Sequence, residues 1–309
     1  MGPRWTVRAH DAKLVESIER EAGVSSVLAQ ILALRGITGA NEVTSFLDLR
    51  MTGLRGPHEL PGLTKAVEVI YDAVENGKKI LIYGDYDCDG MTSTAILYRC
   101  LTKIGAAVHY FVPNRLDDGY GLNTASLEKL KKQRGAELII TVDCGISSVN
   151  EVNHAHELGM SIVVTDHHQL GPALPDADAI VHPALPDGNY PFHGLCGAGV
   201  AFKIAWALCQ RHCGSEKLPK DYRELLFGCV ALAAIGTVAD VVPLLDENRI
   251  LVHHGLGCMR QFSNAGLRHI LAKAKLAEKP QLEAEDIAFM IGPRLNAAGR
   301  LGQAPLGVE

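Results

Sequence analysis

Short, continuously apolar runs alternate with longer amphipathic segments through the middle of the chain. The apolar runs predict strands, and segments whose apolar residues recur every three or four positions predict helices. Strands that are hydrophobic throughout and alternate with helices are typical of a parallel sheet covered on both faces. The predicted strands are Lys79–Tyr83, Val108–Val112, Leu138–Val142, Ser161–Thr165 and Ala179–Val181, and the helices around them are Thr64–Glu75, Met91–Ile104, Thr124–Gln133 and Ser147–Leu158.

Helical spacing dominates both ends of the chain. It extends from about residue 11 to residue 35 and over Asn41–Leu47, and a turn-rich run with two prolines, residues 53–62, follows. We therefore predict an α/β fold: a parallel β-sheet flanked by helices (residues 56–245), with a small helical N-terminal cap (residues 1–55) and a helical C-terminal extension (residues 246–309) that ends in a loop with Arg294 and Arg300. The helices predicted after about residue 197 are Gly199–Cys213, Tyr222–Val238, Glu247–Arg260, Leu267–Ala274 and Ala284–Ile291.

The composition is that of a chain with a sizeable core. Of the 309 residues, 47% are hydrophobic and 21% are charged, which excludes disordered, collagen-like and short disulfide-scaffold proteins. The formal net charge is −5, so the overall charge does not indicate a nucleic-acid-binding protein. A polyanionic substrate must then be held by a local patch or by bound metal.

The cysteines and the most apolar segment bear on the location of the protein. Eight cysteines are scattered along the chain, and no targeting segment is recognisable before them, which favours reduced thiols and a cytoplasmic location. The most apolar stretch, Phe227–Val242, is interrupted by Gly236 and Asp240 and is shorter than the roughly 20 residues that span a bilayer. We expect no membrane-spanning segment.

Acidic residues directly follow three of the predicted strands. Because ligands of open α/β sheets gather at the carboxyl ends of the strands, these residues are expected to lie close together. Carboxylates at such distances repel one another and raise each other's pKa unless a cation lies between them. The sequences concerned are Gly-Asp-Tyr-Asp-Cys-Asp-Gly at residues 84–90, Asp-Cys-Gly at residues 143–145 and Asp-His-His at residues 166–168.

The residue types in this cluster indicate which cation it binds. Hard divalent cations prefer oxygen ligands, and imidazole also suits Mn²⁺. The cluster therefore indicates one or two Mn²⁺ or Mg²⁺ ions. Two ions about 3.5 to 4 Å apart can clamp a phosphate and lower the pKa of a water between them.

Each motif alone has a simpler interpretation. The Asp-x-Asp-x-Asp-Gly run is similar to a calcium loop, but Ile96 stands where an EF-hand has its glutamate. An Asp before a Gly also makes an ordinary turn, and two loop histidines can lack a function. Three such motifs after successive buried strands are much harder to explain by chance. The Cys209–Cys213 segment has too few ligands at zinc-site spacing, and we interpret it as structural.

Together the three motifs closely resemble the DHH phosphoesterase superfamily, which is named after the Asp-His-His triplet. An apolar helical run that ends at Asp240, residues 236–244, matches a fourth element of that superfamily. Further stretches resemble its RecJ branch, whose members are single-strand-specific DNA exonucleases that degrade from the 5′ end. These stretches are residues 112–115 with 119–121, residues 196–203 and residues 292–302, and the whole resemblance covers about residues 60–302.

The resemblance also implies roles for individual residues. Asp143 is placed to bridge two ions, and Asp85 stands where a ligand or a carboxylate behind the ligands is expected. His168 is implied to face the scissile phosphate or to orient the attacking water, so Asp85, Asp143 and His168 form the implied catalytic group. The implied Mn²⁺ or Mg²⁺ ligands are Asp87, Asp89, Asp143, His167 and Asp240, and the implied contacts to the DNA backbone are Arg115, Arg294, Asn296 and Arg300.

The function implied by the resemblance is that of a metal-dependent 5′-to-3′ exonuclease for single-stranded DNA in recombination and repair. Such an enzyme hydrolyses phosphodiester bonds with a metal-activated water. A helicase and a single-strand-binding protein are the partners that the resemblance suggests, and we expect a monomer. Family members continue into a second domain with a Gly-Gly-His segment, and RecJ proteins add an oligonucleotide-binding barrel. We expect this chain to be the catalytic part without them.

Two other functions stay open at this point. The first is a DHH-family phosphodiesterase for short oligonucleotides or cyclic dinucleotides, or a pyrophosphatase, and such enzymes should ignore a long single strand. The second is a non-catalytic fragment that binds metal or a partner. Such a fragment should fold and take up metal without hydrolysing DNA.

Overall fold

The computed structural model describes residues 9–114, 119, 121–186, 188–261 and 264–309. The chain consists of two compact units, Met1–Leu54 and Arg55–Glu309. The first unit contains three short helices and a 3₁₀ turn at Met51–Gly53. The helices are α1 (Ala12–Ala22), α2 (Ser26–Leu34) and α3 (Ala40–Leu47).

The first unit is held together by a small apolar cluster. Helix α1 begins where the Asp11 side chain accepts hydrogen bonds from two backbone N–H groups, and it ends at Gly23, whose φ is 65°. This left-handed residue divides the periodic segment 11–35 into two helices. Buried side chains from all three helices meet in the cluster: Val15, Ile18, Ala29, Leu32 and Val43.

The second unit contains a five-stranded sheet in which all neighbouring strands are parallel. The strand order is β2-β1-β3-β4-β5, so the chain reverses direction across the sheet between β1 and β3. The parallel sheet predicted from the apolar runs is confirmed. The strands are β1 (Ile80–Tyr83), β2 (Val108–Phe111), β3 (Leu138–Thr141), β4 (Ser161–Thr165) and β5 (Ala179–Val181).

Helices surround the sheet, and three of them are buried over much of their length. Most residues of Cys88–Lys103 (α5) and Gly197–Cys213 (α8) and the second half of Lys220–Ala239 (α9) are buried, which is typical of helices inside a large core. The helices of this unit are α4 (Leu63–Glu75), α5 (Cys88–Lys103), α6 (Thr124–Arg134), α7 (Val149–Glu157), α8 (Gly197–Cys213), α9 (Lys220–Ala239), α10 (Asp246–Gln261), α11 (Ala265–Lys273), α12 (Ala284–Asp286), α13 (Gly292–Arg300) and α14 (Ala304–Val308).

Helix α9 is longer than the sequence pattern indicated. By length and composition alone it is apolar enough to cross a membrane, whereas we expected no such segment. However, 61% of its most apolar window is buried inside the protein. Burial of this kind is typical of a core helix, because a membrane-spanning helix would present its apolar surface to lipid.

Residues 292–300 form helix α13, which corrects the prediction of a loop that carries Arg294 and Arg300. A π-helical turn at Ile287–Ile291 joins α12 to α13. Pro293 lies in the first turn of α13, where a helix tolerates proline because the missing N–H would have no partner. Gly299 allows α13 to approach the loop after β1, since a Cβ at Gly299 would lie 2.0 Å from the carbonyl oxygen of Tyr86.

Two glycines in helices test this close approach. Gly299→Ala should lower the free energy of unfolding by about 1 to 3 kcal/mol, because the added methyl group collides with the Tyr86 backbone. Gly257→Ala in α10, where a Cβ meets nothing within 4 Å, should raise it by up to about 1 kcal/mol through helix propensity alone. Urea unfolding of both variants measures the two effects. Equal stabilisation by both substitutions would show that α13 does not pack against Tyr86.

Candidate metal centre

The candidate site lies at the carboxyl ends of β1, β3 and β4. In a sheet of this strand order, the crevice between β1 and β3 is where ligands bind, because the chain connections leave the two strands in opposite directions. The loop after β1 carries Asp85 and Asp87, and Asp89 lies in the first turn of α5. Asp143 follows β3, and Asp240 comes from the C-terminal end of α9.

The loop after β1 is shaped by the start of helix α5. Asp87 caps this helix, and its Oδ1 accepts a hydrogen bond of 2.9 Å from the backbone N–H of Gly90. A side chain at Gly90 would collide with the Asp85 backbone, since a Cβ would lie 2.5 Å from the Asp85 carbonyl oxygen. Asn296 of α13 accepts a hydrogen bond of 2.7 Å from the N–H of Cys88. The helix start thus aims the acidic side chains into the crevice.

Asp89 is bound by the N-terminal end of α8. It is 1% exposed, and its two oxygens accept hydrogen bonds from the backbone N–H groups of Gly197 (2.6 Å) and Ala198 (2.9 Å). Free N–H groups at a helix N-terminus stabilise a negative charge. A Cβ at Gly236 of α9 would lie 2.3 Å from Asp89 Oδ1, so glycine is required there for α9 to reach the site.

Asp143 has the most constrained environment of the cluster. Its φ of 60° is in the left-handed region, which is uncommon for residues other than Gly, Asn and Asp. A Cβ at Gly197 would lie 2.7 Å from the Asp143 Cβ. Asp143 is 1% exposed, and neither of its carboxylate oxygens has a hydrogen-bond partner among the described residues.

Asp166, the first residue of the Asp-His-His triplet, differs from Asp143 because both of its carboxylate oxygens accept hydrogen bonds. Its Oδ2 accepts a hydrogen bond from the N–H of Ile146 (3.0 Å), and its Oδ1 accepts from the N–H groups of His167 (2.7 Å) and His168 (3.1 Å). The same Oδ1 is 2.7 Å from His168 Nδ1. Because these contacts occupy Asp166, it orients His168 and does not join the converging carboxylates.

The imidazole of His167 lies among three carboxylates. Its Nε2 is 3.0 Å from Asp143 Oδ1, 3.6 Å from Asp240 Oδ2 and 3.7 Å from Asp89 Oδ2. Potential ligand atoms form three overlapping groups, each within a 4.8 Å span: Asp85, Asp87 and Asp143; Asp89, His167 and Asp240; and Asp143, His167 and His168. Asp143 and His167 each belong to two of these groups.

The donor atoms at this site fit a divalent cation. Asp85 Oδ1, both oxygens of Asp143 and His167 Nε2 are buried and have no hydrogen-bond partner in the described part of the chain. Asp143 Oδ1 and His167 Nε2 are 3.0 Å apart, yet they are not aligned as a hydrogen bond. Buried polar atoms without partners are costly, and a shared cation would satisfy all of them. Carboxylate oxygens with one imidazole are suitable ligands for Mn²⁺ or Mg²⁺.

Without a cation, burial and mutual repulsion hold protons on these carboxylates. Burial, followed by the charge of Asp87, raises the pKa of Asp85 to about 7 and that of Asp240 to about 6. Burial also raises the pKa of Asp89 to about 6, although His167 opposes the shift. The pKa of Asp143 is raised well above its ordinary value by burial and by Asp89. Metal ligands must lose these protons.

The pKa values of the adjacent histidines His167 and His168 are shifted in opposite directions. The hydrogen bond to Asp166 raises the pKa of His168 to about 9, so this half-exposed imidazole is positively charged at neutral pH. Burial lowers the pKa of His167, and a neutral imidazole is the form that binds metal. His182 also supports the loop, since its Nε2 donates to the His168 carbonyl oxygen (2.8 Å) while its Nδ1 accepts from the N–H of Ala184 (3.0 Å).

The structure brings together all the acidic and histidine residues singled out in the sequence: Asp85, Asp87, Asp89, Asp143, His167, His168 and Asp240. The sequence pattern did not predict that Asp166 and His182 position His168. Asp166 was visible as part of the triplet, and His182 directly follows β5, so inspecting the end of every strand would have found it. Arg115 lies outside the described residues.

The other predicted substrate contacts are on α13. Gly292, Asn296 and Gly299 share the helix face that packs on Ala239, Cys88 and Tyr86. At 100° per residue, Arg294 lies on the opposite face, where it is exposed and donates to the Met290 carbonyl oxygen (2.5 Å). Arg300 is exposed and directly follows Gly299. Asn296 uses its Oδ1 to hold the loop after β1.

Comparisons with known proteins agree with this site. Residues 79–233 match the family described as "DHH family, N-terminal domain". The chain is 40% identical over 306 residues to the single-stranded-DNA-specific exonuclease RecJ of Bacillus subtilis (strain 168), covering 99% of this chain and 37% of that protein. It is 42% identical over 299 residues to RecJ of Salmonella typhimurium, covering 95% of this chain and 50% of the relative.

Solved structures of RecJ proteins are also similar to this chain. RecJ from Thermus thermophilus in complex with Mn²⁺ matches with a TM-score of 0.75 and 33% identity, over 96% of this chain and 40% of that one. An exonuclease RecJ bound to manganese matches with a TM-score of 0.71 and 39% identity, over 84% of this chain and 62% of that one. The chain spans about half or less of the length of the curated relatives from Bacillus and Salmonella.

The Asp166–His168 pair predicts a shifted histidine titration. In the metal-free protein His168 should titrate at about 9, and Asp166→Asn should return its pKa to the ordinary range near 6.5, because an amide does not stabilise the imidazolium. NMR titration of the imidazole signals measures both values. Because the folded pKa is raised, the pair stabilises the fold fully below about pH 6.5, and this stabilisation is lost as the pH rises through about 9. A wild-type His168 that titrates near 6.5 would contradict the assigned hydrogen bond.

The protonated carboxylates predict pH-dependent stabilisation by metal. Saturating Mn²⁺ should raise the melting temperature more near pH 8 than near pH 5. Asp89 and Asp240 have pKa values of about 6, so their carboxyl groups are largely protonated at pH 5 and largely ionised at pH 8, where they can bind metal. At 100 times the dissociation constant, a ligand stabilises the fold by about 2.7 kcal/mol. Thermal unfolding with Mn²⁺ or EDTA at both pH values measures the effect. Asp143→Asn should abolish it, and equal shifts for this variant and wild type would place metal binding elsewhere.

Proposed function

Because the chain belongs to the DHH family, we propose that it is the catalytic part of a RecJ-type exonuclease, which hydrolyses single-stranded DNA from the 5′ end with Mn²⁺ or Mg²⁺. The observation that carries this proposal is the convergence of three carboxylates on His167 Nε2 at the switch point of the sheet, one of which, the buried Asp143, has no hydrogen-bond partner among the described residues. Five carboxylates and a neutral imidazole in one crevice are suited to binding metal and a phosphodiester. The RecJ relatives, which this chain matches in part of their length, support the choice of substrate.

The proposed metal ligands are Asp87, Asp89, Asp143, His167 and Asp240, and Asp143 is shared by two of the three ligand groups. When bound, one or two divalent ions would activate a water and offset the charge of the phosphate. Asp85 is grouped with Asp87 and Asp143, and it can hold a proton on its buried Oδ1, because its pKa is about 7. It thereby limits the negative charge of the crevice before metal binds.

His168 is the proposed residue that faces the reacting phosphate. Its side chain is 42% exposed, and its Nδ1 is held by Asp166 at 2.7 Å, so Nε2 is directed away from Asp166. Because the hydrogen bond to Asp166 favours the protonated imidazole, His168 can donate a hydrogen bond to a phosphate oxygen or orient the attacking water. A fixed cation beside the developing charge is an effective form of electrostatic catalysis.

The proposed DNA contacts lie on α13 and at Arg115. The net charge of −5 means that local cations must hold the phosphates next to an acidic site. Planar guanidinium groups are suited to this because they bind phosphate oxygens bidentately. Arg300 directly follows Gly299, which packs on Tyr86 in the loop after β1, whereas Arg294 would contact DNA that passes along the outer face of α13. Asn296 would use the amide nitrogen that remains after its Oδ1 has bound Cys88.

The cellular setting is part of the same proposal. All eight cysteines are free thiols, which favours a reducing compartment such as the cytoplasm. A helicase would supply single strands, and a single-strand-binding protein would keep them unpaired. We propose that the chain acts as a monomer, because every proposed ligand comes from the same chain.

The proposal predicts a metal-dependent digestion of single strands only. With Mn²⁺, a long 5′-labelled single strand should release small 5′ products, and its duplex should stay intact. Asp143→Asn keeps a residue that tolerates positive φ but removes the charge that binds metal. It should lower the rate by about 10² to 10⁴-fold, which corresponds to several kcal/mol of transition-state stabilisation. Gel electrophoresis of the labelled products measures both.

A matched control keeps the charge change but moves it away from the site. Asp221→Asn removes a surface carboxylate that pairs with Lys103 and should leave the rate unchanged. Digestion of dinucleotides or pyrophosphate without digestion of the long strand would assign the chain to the short-substrate enzymes of the family. Metal binding without any hydrolysis would identify it as a binding fragment.

A further inference from the structure

A fully buried ion pair lies outside the metal centre and has no part in the chemistry proposed above. Lys203 of α8 and Glu247 of α10 are both 0% exposed, and Lys203 Nζ donates to Glu247 Oε1. Glu247 also accepts hydrogen bonds from the N–H of Arg55 (2.9 Å) and from the Tyr190 hydroxyl. Lys203 Nζ donates in addition to the Arg55 carbonyl oxygen (2.6 Å). These hydrogen bonds to a buried ion pair hold α8 and α10 in one relative position.

One end of this pair is connected to Asp89 and Asp143. Lys203 lies within two turns of the α8 N-terminus, where Gly197 and Ala198 donate to both oxygens of Asp89. Gly197 also packs so closely on Asp143 that a Cβ there would lie 2.7 Å from the Asp143 Cβ. Any movement of α8 therefore moves the environment of two metal ligands.

The other end is connected to Asp240. Asp240 begins the link from α9 to α10, and Glu247 and Asn248 lie in the first turn of α10. Asn248 is 0% exposed, and its Nδ2 donates to the carbonyl oxygens of Pro243 (3.0 Å) and Gly194 (2.5 Å). Val241 and Asp246 have φ values of 62° and 47°. Positive φ is unfavourable, above all for a β-branched residue such as Val, so the link keeps this shape only because its ends are anchored.

We propose that Lys203, Glu247 and Asn248 are positioning residues that fix the distance between Asp89 and Asp240, the carboxylates on either side of His167 Nε2. This inference rests on the proposed metal-dependent function. For stability alone, an apolar pair of similar size is often as good as a buried ion pair. An apolar pair would therefore keep the stability of the fold but not the geometry of the metal centre.

The test measures Mn²⁺ binding in the absence of DNA. Two variants remove the polar contacts with little change in volume: Asn248→Leu, and the double variant Lys203→Met with Glu247→Met, which leaves no unpaired charge. We expect Mn²⁺ to bind at least about 10-fold more weakly to each, the range seen when groups that orient metal ligands are removed. Titration of free Mn²⁺ by EPR gives the dissociation constant, and circular dichroism confirms the fold.

Asn76→Leu is the matched control. Asn76 is exposed at the end of α4, and its Nδ2 donates to the Asp72 carbonyl oxygen (2.9 Å), so the same atoms change without contact to an element that carries a ligand. Its Mn²⁺ affinity should equal that of wild type. Folded variants of the Lys203–Glu247–Asn248 set that bind Mn²⁺ with wild-type affinity would overturn the inference, whatever their nuclease activity.

The remaining outcomes separate this inference from the proposed function. If wild type binds Mn²⁺ but digests no DNA, the nuclease proposal fails and the affinities still decide the positioning role. If wild type binds no Mn²⁺, both are overturned. If Asn248→Leu does not fold, the double variant decides, because it removes both members of the ion pair and so leaves no unpaired charge. Loss of folding in both variants would show that the three residues serve stability, and it would also overturn the inference.

Discussion

Repulsion among buried carboxylates is the interaction on which the rest of this structure depends. Five aspartates are directed into one crevice, and burial alone makes each charge expensive. The backbone compensates part of this cost: the start of α5 stabilises Asp87, and the start of α8 stabilises Asp89. Asp143 receives no such help from the described residues. A site that leaves its central carboxylate without a donor is organised around a cation.

Close backbone approach makes that organisation possible. Four glycines stand where any side chain would collide with the site: Gly90, Gly197, Gly236 and Gly299. Each brings a different element to the crevice, namely α5, α8, α9 and α13. The metal centre is thus assembled from distant parts of the sequence without any disulfide, and its precision depends on packing density.

Much of this was predictable from the sequence, for identifiable reasons. Buried parallel strands such as Leu138–Thr141 are apolar throughout, and the carboxyl ends of such strands collect ligands, so Asp143 and His167 were found from position alone. Helix α13 was not found, because Gly292, Pro293 and Gly299 resemble a turn until their packing partners are known. The pairing of Lys203 with Glu247 was also hidden. The two residues are 44 positions apart, and in sequence each resembles an ordinary surface charge on a helix.

The left-handed backbone at Asp143 limits which sequences can encode this fold with this function. Metal binding would accept Glu as readily as Asp, since both offer a carboxylate. A φ of 60° disfavours Glu, however, because only Gly, Asn and Asp adopt that conformation at little cost. Gly lacks the ligand, and Asn lacks the charge. The backbone conformation and the need for a charged ligand together allow only Asp at this position. No single substitution of Asp143 is therefore expected to preserve both the fold and metal binding.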